Sequence, residues 1–153
     1  MPVKKLKEFL DSNSVEYVSI SHSRAFTAQR IAASAHIPGK EVAKTVIIKL
    51  DGKMAMAVLP ASNNLNFDQL KLATKSAKVE LADELEFRNL FPECDTGAMP
   101  PFGNLYGMNV YCSDRLVLDE EIAFNAGTHN ELIRLSFKDF ERLVKPVIAR
   151  ITR

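Results

Sequence analysis

Little in this sequence marks a membrane, secreted or metal-binding protein. Its longest purely apolar stretches are a handful of residues, as in Val46-Ile47-Ile48, far short of the ~20 that a membrane helix needs. The opening residues, Met1-Pro2-Val3-Lys4-Lys5-Leu6-Lys7-Glu8, are charged and carry no apolar segment of the kind an export signal requires. The expected compartment is therefore the cytoplasm, with no membrane partner. Cysteine is scarce as well. Cys94 and Cys112 stand outside any CxxC pair, which excludes a disulfide scaffold and the usual zinc motifs, and both are expected to be reduced, inert thiols. An excess of one charge is also missing: 20 Lys+Arg face 19 Asp+Glu. A protein that tracks a long duplex needs a broad basic stripe, so DNA is not an expected partner, although a small local patch is open.

There is no internal repeat, low-complexity tract or Gly/Ser linker. With 153 residues, 46% hydrophobic and 25% charged, the chain has the make-up of one soluble globular domain with enough mass for a core of its own. Val3, Leu6, Phe9 and Leu10 predict an amphipathic helix over 3–11, which Ser12-Asn13-Ser14 stops. Val15 to Ile20 reads as a strand, and Thr27 as the cap of a short helix to about His36, ended by Pro38-Gly39. Two apolar runs, Lys44–Leu50 and Lys53–Leu59, flank Asp51-Gly52, the signature of a hairpin with a type I′ turn. The second run is apolar at every position from Met54 to Leu59, as in a strand buried on both faces.

Downstream, Asn66 with Gln69 and Asp83 with Glu86 resemble capping boxes of two further helices, the second closed by Pro92. Residues 94–107 hold Gly97, Pro100, Pro101, Gly103 and Gly107 and read as a long, stiff loop. Strands are predicted near 109–113, 115–118, 121–126 and 131–135. A last helix follows, from Phe137 to Lys145, capped by Ser136 and ended by Pro146. Without regular βαβ alternation, the pattern fits a mixed sheet of the α+β class.

The chemistry is sparse. No G-x-S-x-G elbow or HExxH is present, and His22, His36 and His129 stand in unrelated contexts. Three features remain. Lys44 opens the central strand, with Lys49 on the opposite face by strand parity. An ammonium at the mouth of a buried hairpin can pair with a phosphate or carboxylate; the alternative is a snorkelling surface lysine. Gly97-Ala98-Met99-Pro100-Pro101-Phe102-Gly103 can aim backbone N–H groups at a ligand oxygen, or be a plain structural loop. In Gly127-Thr128-His129, glycine lets the backbone approach a ligand, or simply makes a tight turn.

In their order and spacing, the Lys44-Thr45-Val46-Ile47-Ile48 strand, the Gly97-x-x-x-Pro101 loop closed by Phe102-Gly103, and Gly127-Thr128-His129 resemble the YbaK/ProX family of aminoacyl-tRNA deacylases. That family includes the editing insertion domain of bacterial prolyl-tRNA synthetases. Phe26-Thr27-Ala28 and Ala32-Ala33 look like the family's segment before the lysine strand, so the resemblance runs from about His22 to the final helix. It implies one α+β domain over 1–153, with a mixed, partly barrel-like β-sheet surrounded by helices. The implied activity is hydrolysis in trans of the ester joining a wrong amino acid to the 3′-terminal adenosine of tRNA, without metal or other cofactor.

By the same resemblance, Lys44 holds the tRNA 3′ end, while Gly97 and Pro101 belong to the loop that positions ester and water. Gly127 lies at the pocket rim. Met99, Pro100, Phe102, Gly103, Thr128 and His129 contribute to substrate binding, with Met99, Phe102 and His129 as candidates for the wall and Phe102 equally readable as a core anchor. The implied substrate is a small mischarged amino acid, as in Ala- or Cys-tRNA(Pro), attacked by water held near the N–H groups of residues 98–103. Lys71, Lys75 and Lys78 read as ordinary solvated lysines, the alternative being a cationic patch extended toward the tRNA stem. Two departures from the family pattern leave the amino acid open: Pro100-Pro101 before Phe102 stands where others place Ser-Pro, and Thr128-His129 where some carry a Gly- or Ser-rich turn. A monomer is favoured, and delivery by an aminoacyl-tRNA synthetase is open. The competing readings are a non-catalytic module that binds aminoacyl-adenosine, nucleotide or tRNA, and a domain that docks on a synthetase through residues 3–11.

Overall fold

The Asp51-Gly52 turn organises the larger sheet. In a computed structural model that describes residues 4–21, 42–95, 97–128 and 130–152, Asp51 (φ 50°) and Gly52 (φ 86°) both adopt positive φ, as a type I′ turn demands. They join β2 (Ala43–Leu50) and β3 (Lys53–Pro60) in an antiparallel pair running from Ala43 opposite Pro60 to Leu50 opposite Lys53. Asp51 also fastens the hairpin tip to the chain beyond it: its carboxylate accepts the Lys78 N–H at 2.8 Å and the Ala77 N–H at 3.2 Å.

Around this hairpin lie α1 (Lys4–Ser12), β1 (Tyr17–Ser21), α2 (Phe67–Thr74), β4 (Val79–Leu81) and α3 (Glu84–Phe87). They are followed by β5 (Val110–Ser113), β6 (Glu121–Asn125), β7 (Glu131–Ser136), α4 (Phe137–Val144) and β8 (Val147–Ala149). The helix predicted from Thr27 to about His36 lies outside the described residues. Two of the three caps predicted for the later helices accept from their first turns: Asn66 Oδ1 accepts the N–H groups of Asp68 and Gln69, and Ser136 Oγ that of Asp139. The Asn66–Gln69 box is not reciprocal, because the Asn66 N–H donates to Ile151 O at 2.8 Å.

The strands form two sheets, ordered β4-β2-β3-β5-β8 and β1-β7-β6. The mixed α+β architecture agrees with the sequence reading; the partly barrel-like sheet does not. A barrel abolishes both edges by pairing its end strands, whereas here three-residue strands, β4 and β8, end the larger sheet on opposite sides. Among the described residues, one isolated parallel bridge, Val42 to Ala123, joins the backbones of the two sheets.

A second correction concerns 115–118, predicted as a strand. Ser113 Oγ accepts the Arg115 N–H at 3.2 Å and starts a 3-10 turn over Asp114–Leu118. Only Leu116 of its apolar residues is buried, with Leu118 87% exposed, so there is no buried face for a strand to cover. The short strand β8 was not legible in the sequence.

The larger sheet is buried on both faces, as the unbroken apolar run of β3 predicts. Ile47, Met56, Val58, Val110 and Cys112 pack with α1, α4 and the smaller sheet. Ile48, Ala55 and Ala57 pack with Leu70 of α2 and Ile151 on the other side. The 3-10 turn Gly103–Leu105 sits tightly in the first core. A Cβ added at Gly103 would stand 2.6 Å from Val110 Cγ2 and 2.7 Å from the Met108 carbonyl oxygen. Gly103→Ala is therefore expected to destabilise by roughly 1–3 kcal/mol through overpacking. Thermal unfolding would read this as a fall of a few degrees to about ten; an unchanged midpoint would show that this backbone has room to move.

Candidate active site

The site is built where the Gly97 loop meets the turn between β6 and β7. The Asp95 N–H donates to the Gly127 carbonyl at 2.7 Å, and the Gly127 N–H donates to the Ala98 carbonyl at 2.9 Å. Ala98 turns back on its own loop by donating to Asp95 O at 3.0 Å. Both glycines occupy conformations that side chains resist, Gly97 at φ 83° and Gly127 at φ 100°. The two glycine motifs are thus one structural unit, a connection that their distance in sequence conceals.

The bridge between Val42 and Ala123 brings the lysine strand to this unit. The chains run parallel there, so Lys44 lies two residues beyond the bridge in β2, and Asn125 two residues beyond it in β6. Gly127 follows after Ala126. Lys44 is half-buried, and no carboxylate among the described residues lies within ion-pair distance of it. Burial pushes its ammonium below the ordinary lysine value of 10.5, because a desolvated charge is disfavoured.

Lys49, on the same strand, is the contrast. Its Nζ sits 2.8 Å from Glu86 Oε2 and 3.8 Å from Glu80 Oε1, and the hydrogen bond to Glu86 raises its pKa. Glu86 also accepts the Asp83 N–H at 3.0 Å, as the predicted box requires. Lys49 is therefore occupied in tying β2 to β4 and α3. Lys44 has no such partner among the described residues.

The other predicted residues divide. Met99 is 5% exposed and Pro100 and Pro101 are buried. Phe102 is fully buried among Phe9, Phe124 and Phe140, with ring centroids 6.1, 5.5 and 5.7 Å away. Gly103 makes the close approach described above. Of the backbone donors over 98–103, Pro100 and Pro101 have none and Ala98 is spent within the loop, which leaves Met99, Phe102 and Gly103. Thr128 is half-buried, next to Gly127. His129 lies outside the described residues.

Asn125 was not singled out from the sequence; an Asn directly after the apolar run Ile122-Ala123-Phe124 was the available signal. Lys71 and Lys75 are exposed, and Lys78 pairs with Glu80 at 3.6 Å on the surface. Burial raises both thiols, Cys112 up to about 12, so neither offers a thiolate near neutrality. Among the described residues, no group of three His, Cys, Asp or Glu could hold a metal ion.

Comparison with known proteins bears on what such a site does. Residues 22–143 match the family model described as the aminoacyl-tRNA editing domain. A curated protein of Escherichia coli K12, the multifunctional Ser/Thr-tRNA deacylase ProXp-y, is 23% identical over 156 residues, covering 98% of this chain and 92% of its own. The same holds for its counterpart in strain O157:H7. Among solved structures, a candidate trans-editing enzyme for prolyl tRNA synthetase superposes with a TM-score of 0.84 at 18% identity, covering 98% of this chain and 96% of that one. A protein described only as hypothetical reaches 0.87 at 19% identity, with 98% and 100% covered. At these identities, the structural likenesses establish the fold.

Proposed function

The chain belongs to the aminoacyl-tRNA editing domain family and is an aminoacyl-tRNA deacylase; on that premise we propose that its substrate is a small amino acid wrongly esterified to tRNA, held by Lys44 and the Gly97–Gly127 unit. The observation that carries this reading is the half-buried Lys44 ammonium with no counter-charge among the described residues, two residues beyond the bridge that joins its strand to β6. A terminal adenosine with its phosphate supplies the missing anion.

The reaction asks little of the protein. The aminoacyl ester is already activated, so holding it against a few fixed N–H donors and a water can carry the rate. Water oxygen attacks the carbonyl carbon, the bond from that carbon to the ribose oxygen breaks, and the ribose recovers its hydroxyl proton. In this reading the substrate's own 2′-hydroxyl, vicinal to the ester, assists the attack. The acyl group in this reading is of alanine or cysteine size, as in Ala- or Cys-tRNA(Pro), the size that the resemblance of the Gly97–Gly103 loop implies. The chain acts as one domain on the tRNA 3′ end.

The test is deacylation of tRNAs charged with Ala, Cys, Ser or Pro under multiple-turnover conditions. Repeated release of one small amino acid is expected. Stoichiometric protection of every ester, with none released, would make the site a binding module instead.

A further inference from the structure

The 3-10 turn over Asp114–Leu118 brings two apolar side chains to the surface, Val117 at 43% and Leu118 at 87% exposure. Leu118 is the most exposed large apolar side chain among the described residues, and three grooves meet at it. One, of about 590 Å³, runs past Val117 and Glu120 to Phe137 and Lys138 at the start of α4. The others, of about 390 and 420 Å³, share Arg115, with Arg150 lining the first and Pro60 the second. A lone exposed leucine is ordinary; one that stands as a knob beside a groove able to take such a side chain is not. Charge is sorted by side as well. Arg115 and Arg150 with Asp114 leave an excess of positive charge on one side of Leu118. On the other, Asp119, Glu120 and Glu121 outnumber Lys138. Arg115, Arg150 and Glu120 are exposed, and none of them forms an ion pair among the described residues.

We propose that this face is the interface of a twofold-symmetric dimer of the chain, in which Leu118 of each copy enters the groove beside Val117 of the other and Arg115 of each meets Glu120 of its partner. A surface that carries a knob, a groove, and opposite charges on the two sides of the knob is its own complement. Rotation by 180° about an axis beside Leu118 sets each sign against the other, the condition that an isologous contact must meet. A partner of a single charge would match only one side. The inference departs from the monomer that the sequence favours. It is independent of the deacylase reading, because the face includes neither Lys44 nor any residue of 97–103 or 127–129. Fourteen described residues line the three grooves, fewer than the ~20–30 on each side of a standard interface, so the expected dimer is weak, with dissociation in the micromolar range.

Sedimentation equilibrium from low to several hundred micromolar protein tests this. Wild type is expected to move with concentration from the 17.1 kDa of one chain toward twice that mass and no further. Leu118→Asp is expected to weaken association about thirtyfold or more, as loss of a central anchor does, with the thermal midpoint of the dilute monomer unchanged. Arg115→Glu and Glu120→Arg are each expected to weaken it about tenfold. An equimolar mixture of those two is expected to associate as wild type does, because each then meets the opposite charge on the other. A wild type that stays at the mass of one chain overturns the proposal. So does association that Leu118→Asp leaves intact, or that grows beyond two copies, the mark of a head-to-tail contact. A mixture no tighter than its components overturns the twofold pairing, and a lower midpoint for monomeric Leu118→Asp would mean that the chain covers this face itself. None of these readouts uses ester hydrolysis, so failure of the deacylase reading leaves the test intact.

Discussion

Lys44→Met lowers deacylation by at least about a hundredfold and leaves the thermal midpoint unchanged or higher. The first effect follows from removing a preorganised charge at a desolvated position, where losing one such group commonly costs ~10²–10³ in rate. The second follows from what Lys44 lacks. It has no carboxylate partner among the described residues, and burial alone depresses its pKa, so in the unliganded fold the ammonium is a cost that methionine removes. Positioning of this kind is maintained against stability.

The pH dependence has a definite sign. Because the folded-state pKa lies below 10.5, the ammonium is lost at lower pH than that of an ordinary lysine, and the rate advantage over Lys44→Met shrinks as pH rises through that value. Stability moves the other way: between the folded and unfolded pKa values the unfolded chain binds more protons, so stability rises with pH there in wild type and not in the variant. Single-turnover deacylation over a pH series, corrected for spontaneous ester hydrolysis, measures the first. A variant as fast as wild type removes Lys44 from the mechanism.

Phe102→Ala is expected to cost about 3–5 kcal/mol, the usual range for emptying a fully buried phenylalanine site. For a chain of this length that is a fall in midpoint of roughly 6–20 °C. The argument rests on three ring contacts: Phe102 meets Phe9 of α1 edge-on, Phe140 of α4 edge-on and Phe124 of β6 at a tilt. One side chain of the glycine-proline loop therefore holds a helix at each end of the chain to the smaller sheet. A residue that merely walled the pocket would behave differently, changing amino-acid selectivity at an unaltered midpoint. Thermal unfolding and a substrate panel on the same variant separate the two roles.

The sequence was informative wherever a local rule settled the structure. Asp51-Gly52 gave the turn type and register of the hairpin, Asn66 and Ser136 gave helix starts, and the unbroken apolar run of β3 gave its central place. It was uninformative where the outcome depended on partners distant in the chain. Val117 and Leu118 have strand-like composition, yet Ser113 starts a turn there and no surface covers them. Strand β8 is three residues long and exists because β5 offers it an edge. The closed curvature suggested by family resemblance failed for the same reason, since sheet closure depends on edges that no short window contains. Strand parity put Lys44 and Lys49 on opposite faces, but only the structure shows that Glu80 and Glu86 engage Lys49. Asn125 went unnoticed because its orphan Oδ1, shut off from solvent with no hydrogen-bond partner among the described residues, is a property of surroundings.

The hairpin also bears on the order in which the molecule assembles. Its two strands are joined by the shortest of loops, while Met56 must find Val110 and Cys112 must find Ile148, pairings that close long stretches of chain before they return any contact energy. Strands β2 and β3 are thus favoured to form early, and β8 to dock late. The Gly97 loop lies inside the stretch that the pairing of β3 with β5 closes, so it takes shape after the hairpin does. A chain caught partway carries Lys44 on a formed strand with no loop opposite it. It could attract an RNA end but not cleave an ester, which makes hydrolysis a report on completed folding that binding alone does not give.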